Sequence, residues 1–237
     1  MTGCDLHRPM VALVAVAALV LSLVQGASAA WSTFITKAAF DQTYFPGHIA
    51  FYTYDSLKAA AGAPFTQFGN SGTLDDQKRE LAAFFAQVKH ESGGLKQKYE
   101  QGCNIQCQQS YCASSPTYPC SKTQPPYYFG RGPIQLSWNY NYGACGDYIG
   151  KPLLREPSQI SNSAVTAFQT ALWFWMTQGP HLAKSFSGTT KAINGDIECK
   201  GGAHYSEKGH EQMLSRVQYY KSFCSVLGVD PGTDLEC

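Results

Sequence analysis

Cysteine placement constrains what this chain can fold into more than any other feature. Eight of its nine cysteines (Cys103, Cys107, Cys112, Cys120, Cys145, Cys199, Cys224 and Cys237) lie downstream of an apolar N-terminal run, VALVAVAALVLSLV. Arg8 precedes that run and the small residues QGASAA follow it. A charged start, an apolar centre and a small-residue end make a secretory leader, with cleavage expected near Ala29 or Ala30 and the loss of Cys4. A membrane anchor is the alternative, but a bilayer span needs about 20 apolar residues and this run is shorter. An even set of cysteines behind such a leader reads as disulfides formed in an oxidising compartment. A metal site is the alternative for the cluster Cys103, Cys107, Cys112 and Cys120. Zinc sites favour tighter cysteine pairs completed by a second pair or by histidines, so disulfides and no metal are expected.

Cleavage would leave about 207 of the 237 residues, enough for a single domain over 31–237 with a sizeable core. Basic residues number 18 and acidic residues 17, with no basic block. Nucleic acid and membranes are therefore poor partners, and an uncharged polymer fits better. No feature demands more than a monomer, and no cofactor motif is present.

Helical periodicity dominates, and no long alternating strand pattern occurs. Trp31–Phe45 reads as a helix stopped by Phe45-Pro46-Gly47, Tyr52–Ala63 as another, and 64–72 as a loop. Thr73 and Asp76 form a capping pair ahead of Leu81, Phe84, Phe85 and Val88, an apolar stripe ended by Gly93-Gly94. Residues 99–127 are polar, proline-rich and cysteine-rich, hence a pinned loop, and 127–136 has room for a short strand and tight turn. Ser163 caps a helix through Val165, Phe168, Leu172 and Trp175, apolar nearly all round in its second half and so central. A last helix is expected from about Glu211 to Leu227. The fold class is mainly α.

Glu91 continues the apolar stripe of its helix, three residues after Val88. A glutamate there faces the core or a cleft beside it, and burial without a partner favours the protonated form that a proton donor needs. The alternative is a helix-end glutamate paired with Lys96 or Lys98. On a continuous helix Glu100 would lie ~13.5 Å further along and on the opposite side. The glycine pair breaks that path and lets the chain return a second carboxylate across a groove. Two carboxyls about 6.5–9.5 Å apart, with a water between base and sugar, suit inverting glycoside hydrolysis. Downstream, Gln135, Ser137, Asn139, Asn141 and Tyr142 alternate with Ile134, Leu136, Trp138 and Tyr140. Such a mixture of directional polar groups and apolar faces suits a sugar site, or equally a polar turn packed by aromatics.

The segments FFAQVKHESGG, YFGRGPIQLSWNYNYG, TALWFWMT and INGDIEC, in this order, resemble the signatures of the family 19 glycoside hydrolases, the endochitinases. The resemblance runs with gaps from about Thr33 to Cys237. It implies a lysozyme-like, bilobal helical fold with a small sheet beside a substrate cleft. It implies hydrolysis of chitin or chito-oligosaccharides, with Glu91 as general acid and Glu100, in Tyr99-Glu100-Gln101, as general base. Ser137 would help hold the attacking water. His90, Gln135, Tyr140, Asn141 and Asn194 would contact the sugar, and Glu198 and Arg216 would form a supporting charged network. Cys112–Cys120 and Cys199–Cys237 match family bridges, and Cys103–Cys107 and Cys145–Cys224 follow by elimination. The chain lacks the aromatic-rich insertion that longer members carry between the two glutamates. Rival readings are a binding protein without catalysis and a hydrolase of chitosan or peptidoglycan glycan.

Overall fold

The computed structural model describes residues Ala30–Cys237, so the expected leader lies, apart from Ala30, outside the described residues. Among the described residues no helix is long and apolar enough to cross a membrane. Seven helices carry the architecture: α1 (Tyr54–Ala60), α2 (Leu74–Glu91), α3 (Ile105–Ser110), α4 (Asn139–Ile149), α5 (Ala164–Thr177), α6 (Phe186–Glu198) and α7 (Glu207–Leu227). The small sheet expected beside the cleft is represented by two isolated antiparallel bridges, Tyr99–Arg131 and Arg131–Leu136. Positive φ at Gly132 (79°), Gln135 (52°) and Trp138 (77°) turns the chain before a longer ladder forms.

The start of the fold departs from expectation. Trp31–Phe45 is not one helix but a 3-10 turn (Ala30–Thr33), an α-turn (Lys37–Ala39) and a π-turn (Phe40–Tyr44). Thr36 is extended and its hydroxyl accepts from the Ala39 N–H, which starts a new helix instead of continuing the old one. The breaks allow Trp31, Ile35, Phe40, Tyr44 and Phe45 all to be buried, which no single helical face would permit. Likewise α1 begins two residues later than expected because Thr53 caps it reciprocally with Ser56.

Helix α2 follows its sequence signals. Thr73 accepts from the Asp76 N–H at 3.2 Å, and Asp76 accepts from the Thr73 N–H at 3.0 Å. Leu81, Phe84, Phe85 and Val88 are buried, with Phe84 edge-on to Trp175 of α5 and to Phe68. Truncating a ring held like that of Phe84 costs about 3–5 kcal/mol. The helix ends on Glu91, where Ser92 donates from its hydroxyl to the Val88 carbonyl and accepts from the Leu95 N–H. Gly93 and Gly94 then follow at φ 61° and 79°.

Helix α5 packs against α1 and α4, and α7 against α2 and α6. Phe186 of α6 stacks on Tyr220 of α7 with centroids 4.2 Å apart. Helix α7 begins at Glu207, earlier than expected, because Ser206 accepts from the Gly209 N–H. No sequence signal marked α4, and that of α6, the Ser185 hydroxyl accepting from the Gly188 N–H, is not accompanied by an apolar stripe. Asparagine, glycine and tyrosine in NYNYGACGDYI are weak helix formers, so packing on α5 rather than propensity sustains α4.

Three disulfides occur among the described residues: Cys103–Cys107, Cys112–Cys120 and Cys199–Cys237. The Cys145–Cys224 pairing is wrong. Both are free and buried thiols, Cys145 on α4 and Cys224 on α7. Pairing by elimination assumed that every cysteine is oxidised, but in an apolar core a thiol serves as a small hydrophobic group. Burial pushes both thiols upward, that of Cys224 to about 11, so neither is a reactive thiolate.

The loop between Cys112 and Cys120 is held from one side by Asn139. That buried amide donates to the Ala113 and Tyr118 carbonyls and accepts from the Ala113 N–H. Tyr118 packs against Gly143, where a Cβ would come within 2.1 Å of its ring, so only glycine fits.

Candidate active site

Three helices converge on Arg216. Glu91 comes from the last turn of α2, Glu198 from the end of α6, and Arg216 from the middle of α7. Glu198 is wholly buried and takes a two-point contact from Arg216, Nε to Oε2 at 2.8 Å and Nη2 to Oε1 at 2.7 Å. The same Nη2 pairs with Glu91 Oε1. Glu91 is therefore neither unpartnered nor paired with a lysine. Lys98 instead donates to the Ser161 carbonyl and sits over the Phe51 ring. One buried cation faces two carboxylates, and the fully buried Glu198 already matches its charge.

Asn194 joins this cluster by donating to Glu198 Oε1 at 2.8 Å. It does so from a break in α6, where its φ of −147° departs from helical geometry and turns its amide toward the carboxylate. His90 packs beside the same charges. Burial first, and then repulsion from Arg216, push its imidazole down to about 4, with Glu198 acting in the opposite direction. His90 is thus neutral near pH 7 and available as a neutral hydrogen-bonding group.

Glu100 lies in a different setting. Its backbone N–H donates to the Gly130 carbonyl at 2.8 Å, and its carboxylate accepts from the Tyr111 hydroxyl at 3.1 Å and from the Gly130 N–H at 3.3 Å. No cation pairs with it among the described residues. The Cys103–Cys107 bridge closes the loop beside it, with Cys107 Sγ 3.8 Å from Oε1. These two sulfurs and the carboxylate are grouped closely enough for a metal, but the sulfurs are committed to the disulfide. Burial and the adjacent carboxylate push the Tyr111 hydroxyl up to about 12, which keeps it a donor.

The 130–142 stretch meets this loop at Gln135, beside Gly130, and at Trp138, edge-on to Tyr111. A Cβ on Gly130 would meet Gln135 Oε1 at 2.9 Å and Glu100 Cβ at 3.4 Å, so Gln135 and Glu100 flank the same glycine. Ser137 donates its hydroxyl to the Gln135 carbonyl, leaving its oxygen as an acceptor, and Asn141 donates to the Ser137 carbonyl. Tyr140 is 41% exposed and stacks on Trp138, whose other neighbour is Tyr111. An exposed ring beside acceptors and amides suits a sugar face. A cavity of about 380 Å³ opens on Tyr99, Glu100, Asn104 and Phe129.

The expected residues thus fall into two groups: His90, Glu91, Asn194, Glu198 and Arg216 around one cation, and Glu100, Gln135, Ser137, Tyr140 and Asn141 around the 99–111 loop. Two further residues belong with them. Gln87, the one amide in the apolar run FFAQV, accepts from Arg216 Nη1 at 2.8 Å. Its polarity within that run was a readable signal. Tyr111 carried none, since only the folded loop brings it to Glu100.

Comparison with known proteins identifies the family of the chain. The family model described as chitinase class I, glycoside hydrolase family 19, matches residues 41–186 and 178–237. An endochitinase from Arabidopsis thaliana is 45% identical over 193 residues, covering 79% of this chain and 65% of that protein. Chitinase 6 from Oryza sativa subsp. japonica is 43% identical, covering 79% and 66%. The chain thus spans just under two-thirds of the length of these curated relatives. Among solved structures, a class IV family GH19 chitinase from Zea mays superposes with a TM-score of 0.74 at 39% identity, covering 86% of this chain and 98% of that one. Chitinase C from Streptomyces griseus gives 0.75 at 37% identity, covering 86% and 80%. With the family model spanning nearly all described residues and the fold shared at this level of identity, this chain belongs to the family 19 glycoside hydrolases, the chitinase class I family.

Proposed function

We propose that the protein cleaves β-1,4-linked N-acetylglucosamine chains, chitin or its soluble oligomers, at internal bonds by a single-step inverting mechanism. The observation that carries this reading is the unlike environment of two carboxyls. Glu91 shares a buried cation whose charge Glu198 already matches, while Glu100 pairs with no cation among the described residues and accepts from two neutral donors. Protonated Glu91 gives its proton to the glycosidic oxygen as the bond to the anomeric carbon breaks. A water attacks that carbon from the opposite face, and Glu100 removes the proton the water loses. The Ser137 oxygen, its own hydrogen spent on the Gln135 carbonyl, accepts from that water and helps orient it. His90, Gln135, Tyr140, Asn141 and Asn194 line the sugar path. Released products are a reducing end in the α configuration and a shortened chain with a new free hydroxyl. The oxidised cysteine pairs support secretion, and the enzyme acts as a monomer.

Incubation with a soluble chitin hexamer, followed by product and anomer analysis, tests the reading. The wild type should release the α-anomer first. Glu91→Gln should be inactive, and Glu100→Ala should lose at least ~100-fold in turnover, the lower range for removing acid–base assistance. Added azide should restore part of the Glu100→Ala loss by attacking from the water side. No cleavage by the wild type would leave a binding protein, and preference for deacetylated or peptidoglycan oligomers would change the substrate. A β-anomeric first product would refute inversion.

A further inference from the structure

From the hydrogen-bond directions around Arg216, we infer that Gln87 is a positioning residue for the acid, fixing the guanidinium that Glu91 shares; this rests on Glu91 being the general acid. Gln87 lies one helical turn before Glu91 on α2 and is fully buried. Its Oε1 accepts from Arg216 Nη1 at 2.8 Å, and its Nε2 donates to Thr189 Oγ1 at 2.9 Å and Thr190 Oγ1 at 3.1 Å.

The amide has a single workable orientation. Arg216 offers donors only. Thr189 spends its hydroxyl hydrogen on the Phe186 carbonyl at 2.8 Å, so toward Gln87 it is an acceptor. A flipped amide would set donor against donor at one end and acceptor against acceptor at the other. Thr189 on α6 thus fixes Gln87 on α2, and Gln87 fixes Arg216 on α7. With Nε and Nη2 held by Glu198, the contact at Nη1 stops the guanidinium from hinging about that pair.

Neutrality of this third acceptor matters as much as its position. The charged or titratable groups facing the cluster are His90 and Glu91 from α2, Glu198 from α6 and Arg216 from α7. One cation meets one fixed anion, and Glu91 remains to carry a transferable proton. A glutamine satisfies Nη1 without a second fixed negative charge. A glutamate there would still accept from Nη1, although its second oxygen would face Thr189 acceptor to acceptor, and it would add a second fixed negative charge beside Glu91. An apolar residue of equal length would leave Nη1 buried without an acceptor and free the guanidinium to turn toward Glu91.

Kinetics of Gln87→Met and Gln87→Glu on the chitin hexamer, across pH and beside wild type and Glu91→Gln, test this. Gln87→Met should lower kcat about tenfold, the low end for a lost hydrogen bond to a charged group, with KM within twofold. Gln87→Glu should recover kcat to within about threefold of wild type and move the alkaline limb of the kcat profile upward. If Gln87→Met does not fold, Thr189→Val, which removes the nearer of the two acceptors of the amide together with the hydroxyl's bond to the Phe186 carbonyl, should still lower kcat by about threefold at constant KM. Wild-type kcat and pH limbs in a folded Gln87→Met, or in Thr189→Val when that variant must stand in, overturn the inference. So does a Gln87→Glu enzyme as impaired as Gln87→Met with unmoved limbs, because packing alone would then explain both. Activity in Glu91→Gln would instead remove the acid assignment itself.

Discussion

Replacing His90 with glutamine isolates one term in the acid stability of this fold. The imidazole sits beside Arg216 and is held at about 4 against an ordinary 6.5, burial being the larger cause and the guanidinium the second. In the unfolded chain the same group titrates near ~6.5. Between these values the unfolded chain binds a proton that the folded chain refuses. Stability is therefore complete above pH ~6.5, falls as pH drops toward ~4, and flattens below the folded value. The gap of about 2.5 units corresponds to about 3 kcal/mol in full, with about 2 kcal/mol already lost at pH ~5. Urea unfolding of wild type and His90→Gln at several pH values between ~4 and ~7 measures it. Other groups contribute to each curve, but their part cancels in the difference. The wild type should lose about 3 kcal/mol more than the variant over that range. Parallel curves would refute the reasoning and show that His90 protonates freely in the folded protein. A variant that loses more than the wild type would reverse its sign.

Other expectations concern the second carboxylate and the chain terminus. Tyr111→Phe removes the hydroxyl that Glu100 accepts from while keeping the ring against Trp138. Its kcat should fall about tenfold, consistent with a hydrogen bond to a charged group, at little change in KM; a change below about twofold would mean that the Gly130 amide suffices to hold Glu100. The Cys199–Cys237 bridge closes 38 residues of sequence, worth about 4 kcal/mol of denatured-state entropy. The Cys199→Ala, Cys237→Ala variant should lose up to that amount in urea unfolding. It should also show lower turnover than wild type at full folding, because Cys199 follows Glu198 at the end of α6. Unchanged stability would mean that the C-terminal segment is held by its other contacts.

What the sequence determined by itself was local. The Thr73–Asp76 cap, the stripe Leu81, Phe84, Phe85 and Val88, and the glycine pair after Glu91 set out α2 and end it on Glu91, since capping and amphipathic burial depend on neighbours within a few residues. Ser163 did the same for α5. Where a local signal competed with periodicity, the signal won, as at Thr36, Thr53 and Ser206. Helices α4 and α6 were not legible because their residues favour helix weakly, and distant partners supply the stabilisation. Cysteine count alone also misled at Cys145 and Cys224, because burial decides whether a thiol must pair. The two carboxylates could be named from motifs, but their environments could not be derived from spacing. The cation that Glu91 meets lies 125 positions away on α7, and the hydroxyl that holds Glu100 sits beyond a disulfide-closed turn. Such contacts arise only when α2, α6 and α7 pack together and the 99–111 loop folds back on Gly130. Charge pairing acts through space, and so the tertiary structure decides which carboxyl shares a cation and which stands apart from one.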